Sequence, residues 1–286
     1  LTGFFLAGIY PVGMKIASDH YQKGLGKSLG LLVGALVLGT AFPHFLKGFN
    51  TNYSWKFVLI ATSSLSVLGG LMMLFFVHKG EFSTVGKKID FRAITKGFRI
   101  QNFRKPALGY FGHMWELYTF WAFLPALILT YKTKHNLSEI NISKWSFFII
   151  ASGSVACVIS GFISQYFGLR KVAISALFLS TFCCLTSPFF ITYASVNVLF
   201  LFLLFWGMVV IADSPLFSTL VAQNAPVESK GTLLTITNCI GFSLTIVSIQ
   251  LFGRLTEVIN HEYLFVFLSI GSILGLIAMI EKVELK

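Results

Sequence analysis

Charge is what this chain lacks most. Only 12% of its residues are Asp, Glu, Lys or Arg, against about 25% in an ordinary soluble domain. Cysteine is also scarce. The four cysteines (Cys157, Cys183, Cys184 and Cys239) all fall within apolar runs, where a thiol packs as a small hydrophobe. No CxxC or Cys/His spacing suggests a metal site, and no cofactor or metal is expected. Histidine numbers six and is scattered. There is no HExxH and no Ser/His/Asp arrangement, which argues against an enzyme. The formal charge of +11 does not imply nucleic acid, because Lys and Arg are dispersed among loops and form no single patch.

What the chain has in abundance is apolar length. Hydrophobic residues make up 55% of it, 31 of them Phe, and the mean hydropathy is +0.78. Nine stretches of about twenty mostly apolar residues follow one another, each long enough to cross a hydrocarbon core of about 30 Å. They are Leu1–Ala17, Ser28–Phe45, Lys56–Val77, Ala107–Tyr131, Trp145–Phe167, Val172–Tyr193, Val196–Ala222, Gly231–Phe252 and Tyr263–Ile280. Backbone polar groups in lipid must be satisfied within the segment, so each is expected to be a helix. The fold class is an all-α polytopic membrane protein. Its parts are residues 1–77, a polar linker at 78–105 and a six-helix part at 106–286. The chain starts at Leu1 inside an apolar run, and an N-terminal truncation is expected.

Loop charge sets the expected orientation. Lys47, Lys56, Lys132, Lys134, Lys144 and Arg254 lie on one side of the spans, and the other sixteen Lys and Arg residues lie opposite. The richer side is expected to be cytoplasmic, with the C-terminus there. The linker, with Lys87, Lys88, Asp90, Arg92, Lys96 and Arg99, reads as a solvated connector or a surface helix at the headgroups. Sequons begin at Asn52, Asn136 and Asn141, and chance is their simplest explanation. A weak repeat joins Tyr10-Pro11, followed by Gly26, Gly30 and Gly34, to Ser214-Pro215, followed by Gly231 and Gly241. Paired interrupted helices of this kind occur in secondary transporters.

Ionisable residues within apolar spans are the chemical signal, because a charge at mid-bilayer costs about 2.5–3.5 kcal/mol by insertion scales. Glu116 lies about 15 Å into the fourth span. His113, three residues before it, shares its helix face, and Tyr110 and Phe120 extend that face. The expectation is a His113–Glu116 proton or substrate site facing a central cavity. A structural hydrogen-bonded pair is the alternative. Asp213 lies in the seventh span before Pro215, which removes a backbone donor and leaves a carbonyl free. Trp206, two turns away on the same stripe, is expected to line the cavity. Asn238 reads as a ligand contact or as glue between helices. Tyr10 is the cavity candidate of the first three spans, and Lys15 and Asp19 are spaced to pair.

Three spans, a long polar loop and six spans are the order of the last three-quarters of a major facilitator superfamily transporter. The run Gly161-Phe162-Ile163-Ser164-Gln165-Tyr166-Phe167-Gly168-Leu169-Arg170-Lys171 resembles the second copy of that family's cytoplasmic gating motif. Gly161, Gly168, Arg170 and Lys171 fit, whereas the family has an aspartate where Gln165 stands and an arginine where Tyr166 stands. Gly112-His113-Met114-Trp115-Glu116-Leu117-Tyr118 and Ala212-Asp213-Ser214-Pro215 resemble an uncharacterised bacterial branch of the family. The resemblance implies helices four to twelve of twelve in a monomeric carrier of the bacterial inner membrane. Such a protein moves a small molecule, here with protons, between two rocking halves. Some members of that branch are labelled nitrate transporters, but the glycine and asparagine signatures of nitrate carriers are missing here. An integral-membrane enzyme, or a transporter-like sensor without flux, is the competing reading.

Overall fold

The computed structural model describes residues 9–21, 24–49, 54–82, 92–226 and 228–280. Among these, every regular element is helical. Helix α1 covers Tyr10–His20, α2 Leu25–Phe49 and α3 Trp55–Phe76. A short α4 at Arg92–Arg99 precedes the 34-residue α5, Gln101–Lys134. Helices α6 (Ile142–Phe167), α7 (Leu169–Tyr193), α8 (Val196–Ala212), α9 (Ser214–Asn224) and α10 (Lys230–Leu255) follow. A 3-10 turn at Leu264–Leu268 leads into α11, Ser269–Ile280.

Six spans among the described residues are long and apolar enough to cross a membrane: α2, α3, α6, α7, the α8–α9 pair and α10. The fourth expected span is the long α5, whose polar residues lower its mean hydropathy. The ninth is the shorter apolar stretch Leu264–Ile280. The first expected span lies partly outside the described residues, as does Asn52. The chain is a multi-pass α-helical membrane protein. Helix α5 starts at Gln101.

Local sequence explains the boundaries. Pro11 sits in the first turn of α1, where its missing N–H costs nothing. Ser54 caps α3, and its hydroxyl accepts from the Phe57 N–H at 3.4 Å. Asn141 caps α6 by accepting from the Lys144 N–H at 3.0 Å, while its amide donates to the Gly48 carbonyl of α2 at 2.9 Å. This sequon asparagine therefore ties two helices together. Gly168, with φ of +87°, turns the chain from α6 into α7, a conformation open to glycine.

The seventh expected span is not one continuous helix. It breaks at Asp213, between α8 and α9. Pro215 has no N–H to offer the Ile211 carbonyl four residues earlier. That carbonyl is not left open for a ligand, because the Cys157 thiol of α6 approaches it at 3.5 Å.

The most extensive contact joins α2 to α6. Glycine makes it possible. A Cβ on Gly30 would lie 2.7 Å from the Cys157 carbonyl oxygen, and one on Gly161 would lie 2.8 Å from the Gly26 carbonyl oxygen. Helix α5 packs on α10 and α11, and α8 packs on α6 and α7. A large apolar cluster including Trp121, Leu124, Phe200 and Phe252 fills the end near Lys134. A smaller one including Leu29, Phe103, Val221 and Leu233 fills the opposite end. Helix α3 stands apart, with none of its residues buried.

Candidate functional site

Three polar contacts follow one another along α5 and together reach α7, α8 with its end at Asp213, and α10. First, the Tyr110 hydroxyl donates to the Asn238 side-chain carbonyl of α10 at 3.0 Å. A Cβ on Gly241 would come within 2.6 Å of the Tyr110 ring, so the glycine one turn beyond Asn238 leaves room for it. Second, His113 Nδ1 lies 2.8 Å from Asp213 Oδ1, with the two side chains 1% and 0% exposed. Third, the Glu116 carboxylate accepts from the Ser180 hydroxyl, from the Cys184 thiol at 3.2 Å and from the Trp206 indole N–H at 3.3 Å.

The expected His113–Glu116 pair does not form. Three residues along an α-helix turn the side chain through about 300°, which leaves it about 60° off the first. His113 therefore faces the α8–α9 break, and Glu116 faces the groove of α7 and α8. Nor do Glu116 and Trp206 line an open hollow. Glu116 is 1% exposed and Trp206 is fully buried, its ring packed on Phe120 at 4.5 Å and on Phe265 at 5.9 Å. Trp206 does not share a cavity wall with Asp213; it serves Glu116.

The contact between His113 and Asp213 is close but incomplete. Neither Asp213 oxygen completes a hydrogen bond of good geometry, and His113 Nε2 has no partner. Buried polar atoms left this way are costly. The Tyr110 ring lies 6.1 Å from the His113 ring, and Phe217 closes the other side at 6.3 Å.

Tyr110 connects this pair to a cavity. A space of about 10 Å³ lies among Met14 of α1, Tyr110 of α5, Ser218 and Val221 of α9, and Leu234, Thr237 and Asn238 of α10. That is room for about one water. Tyr10 stands beside it, its hydroxyl 3.3 Å from the Ser218 hydroxyl. The site thus combines α1 with helices of the later part of the chain. The space borders the smaller apolar cluster, to which Met14, Val221 and Leu234 belong.

Of the residues expected from sequence, Tyr110 and Asn238 line this cavity, Tyr10 reaches Ser218 in its wall, His113 and Asp213 pair beside the Tyr110 ring outside the lining, and Glu116 and Trp206 form a separate buried site. Ser180, Cys184 and Thr237 were not anticipated as site residues. Ser180, Cys184 and Ser187 are spaced as one helix face and are all buried, a pattern present in the sequence. Hydroxyls and thiols are ordinary in membrane helices, however, and spacing alone does not separate them from packing.

The gating-motif residues fall at the far end of the bundle from Lys134. Gly161 is a packing contact to α2, Gly168 makes the turn, and the Arg170 guanidinium donates to the Met279 carbonyl at the end of α11. Lys171 is exposed. Lys15 and Asp19 pair as expected, at 2.6 Å. Among the described residues, no three His, Cys, Asp or Glu side chains gather to hold a metal.

The fold and the sequence both have relatives. The crystal structure of a variant of the E. coli fucose:proton symporter FucP superposes with a TM-score of 0.59 at 14% identity, covering 78% of this chain and 53% of that one. A bacterial homologue of the iron transporter ferroportin, in its outward-facing state, superposes with a TM-score of 0.55 at 16% identity, covering 79% and 54%. The chain spans about half the length of these two structures. No curated protein sequence matches it. The family model of the Major Facilitator Superfamily matches residues 1–249, most of the chain's length. With the helical architecture in agreement, this protein belongs to the Major Facilitator Superfamily.

Proposed function

We propose that the protein is a secondary active transporter that moves a small solute by alternating access, coupled to protons, and that its spans are helices four to twelve of a twelve-helix carrier. The observation that carries the reading is the His113–Asp213 contact at 2.8 Å, fully buried, at a helix break. A discontinuous helix with an ionisable pair at its break, beside a small cavity, suits a site where solute binding and proton movement meet. Asp213 holds the proton in one state, and His113 neutralises Asp213 when it is ionised. The Tyr110 hydroxyl stands between that pair and the cavity and senses occupancy through Asn238. Glu116 is a second proton site, held by Ser180, Cys184 and Trp206 within the later helices. Its protonation sets how tightly α5 is bound to α7 and α8.

The test is uptake by the full-length protein in proteoliposomes under an imposed pH gradient. With Asp213→Asn or Glu116→Gln, gradient-driven accumulation of a radiolabelled solute taken up by the parent should fall at least tenfold. Equilibrative exchange of that solute should persist. Parental accumulation by both variants would refute the coupling. The bilayer is the bacterial inner membrane, the C-terminus is cytoplasmic and the carrier acts as a monomer in this reading.

A further inference from the structure

We propose that the solute is uncharged and carries hydroxyl or amide groups, and that Thr237 and Asn238 select it. The proposal rests on the transport reading above and adds the chemistry of what is carried.

The lining decides this. Among the described residues the cavity is bounded by Met14, Tyr110, Ser218, Thr237, Asn238 and apolar side chains, with no Lys, Arg, His, Asp or Glu. Burying an ionised group without an opposite charge is strongly unfavourable. His113 and Asp213 face each other at 2.8 Å and do not line the cavity, which meets Tyr110 instead. A charged solute therefore finds no counter-ion there.

Two buried atoms in the wall lack any partner. Thr237 Oγ1 and Asn238 Nδ2 make no hydrogen bond, and their residues are only 2% and 4% exposed. Together they offer one hydroxyl, which can donate or accept, and one amide donor. A neutral hydroxyl or amide satisfies both without bringing a charge into the apolar interior. Met14 and the Tyr110 ring provide apolar surface for the carbon skeleton. The present volume admits about one water, so α1 and α9 must part from α10 for the solute to enter. The Tyr10–Ser218 contact of 3.3 Å joins α1 to α9.

The experiment is calorimetric titration of the purified full-length protein with hexoses, pentitols and short neutral amides, and in parallel with carboxylates, amines and nucleotides of similar size. At least one neutral solute should bind, and Thr237→Val and Asn238→Leu should each weaken it at least tenfold. Because Thr237 Oγ1 has no partner, Thr237→Val should leave the melting temperature of the solute-free protein unchanged or raised, whereas a structural role would lower it. Binding confined to charged solutes, parental affinity in both variants, or no binding in either panel would overturn the assignment. A neutral solute that binds but is not accumulated in proteoliposomes would remove the transport reading and leave the site. A charged solute accumulated in an Asp213-dependent way would do the reverse.

Discussion

At the scale of single residues, the informative positions are those where a polar group sits in an apolar run. Glu116, His113 and Asp213 are legible from sequence because ionisable residues inside a span are expensive and seldom incidental. Their partners are not legible. Ser180 and Cys184 lie more than sixty positions beyond Glu116, and nothing local links them. Outside the membrane, Glu262 in the loop before α11 is bound by Lys134 and accepts from the Thr192 hydroxyl at 2.9 Å. These hydrogen bonds, led by Lys134, hold its carboxyl below the usual glutamate range. A depressed folded-state value means the contribution is present above the unfolded value of about 4.3 and fades as the pH falls through the folded one. Glu262→Gln should therefore lower the melting temperature at neutral pH by no more than about 3 °C, since exposed pairs contribute little. The difference from the parent should shrink as the pH is taken below about 4. A melting curve at each pH measures it, and a gap that widens in acid would contradict the pairing.

At the scale of elements, Gly26, Gly30 and Gly34 recur at every fourth position of α2, a small-residue stripe that allows close helix approach, but its partner is not written in the sequence. Close approach to α6 is what the stripe permits, and the Cys157 carbonyl oxygen occupies the space a side chain on Gly30 would need. Gly30→Ala should destabilise the protein by about 1–3 kcal/mol, because a backbone atom cannot move aside as a side-chain tip can. Gly39 lies in the same helix with nothing within 4 Å of an added Cβ, so Gly39→Ala is the control and should be neutral. Thermal unfolding in detergent separates them, and equal behaviour would mean α2 and α6 are not closely packed. The break between α8 and α9 shows a similar division. Pro215 announced an irregularity, but not that the Cys157 thiol of another helix would approach the Ile211 carbonyl there.

At the scale of the whole molecule, the order of the spans along the sequence assigns six basic residues to the loops on the Lys134 side and sixteen to the other. If that asymmetry sets orientation, a cysteine replacing exposed Glu139 should react with an impermeant maleimide on intact cells. One replacing exposed Glu228 should react only after lysis, in a background with Cys239 replaced. The opposite pattern would invert the proposed topology. The cavity also belongs to this scale, since its walls come from α1, α5, α9 and α10, and no one of them forms it.

Sequence by itself determined that the chain lies in a membrane, that it is helical, where most spans fall and which residues there are chemically costly. These follow from local physics, because a backbone surrounded by hydrocarbon can satisfy its hydrogen bonds only within a helix. Tertiary structure alone decided which costly groups meet. Residues three apart in α5 diverge by about 60°, so neighbours expected to pair were sent to different helices. His113 met Asp213 and Glu116 met Ser180, Cys184 and Trp206. Spacing along a helix fixes the direction in which a side chain points, but helix packing fixes what stands there.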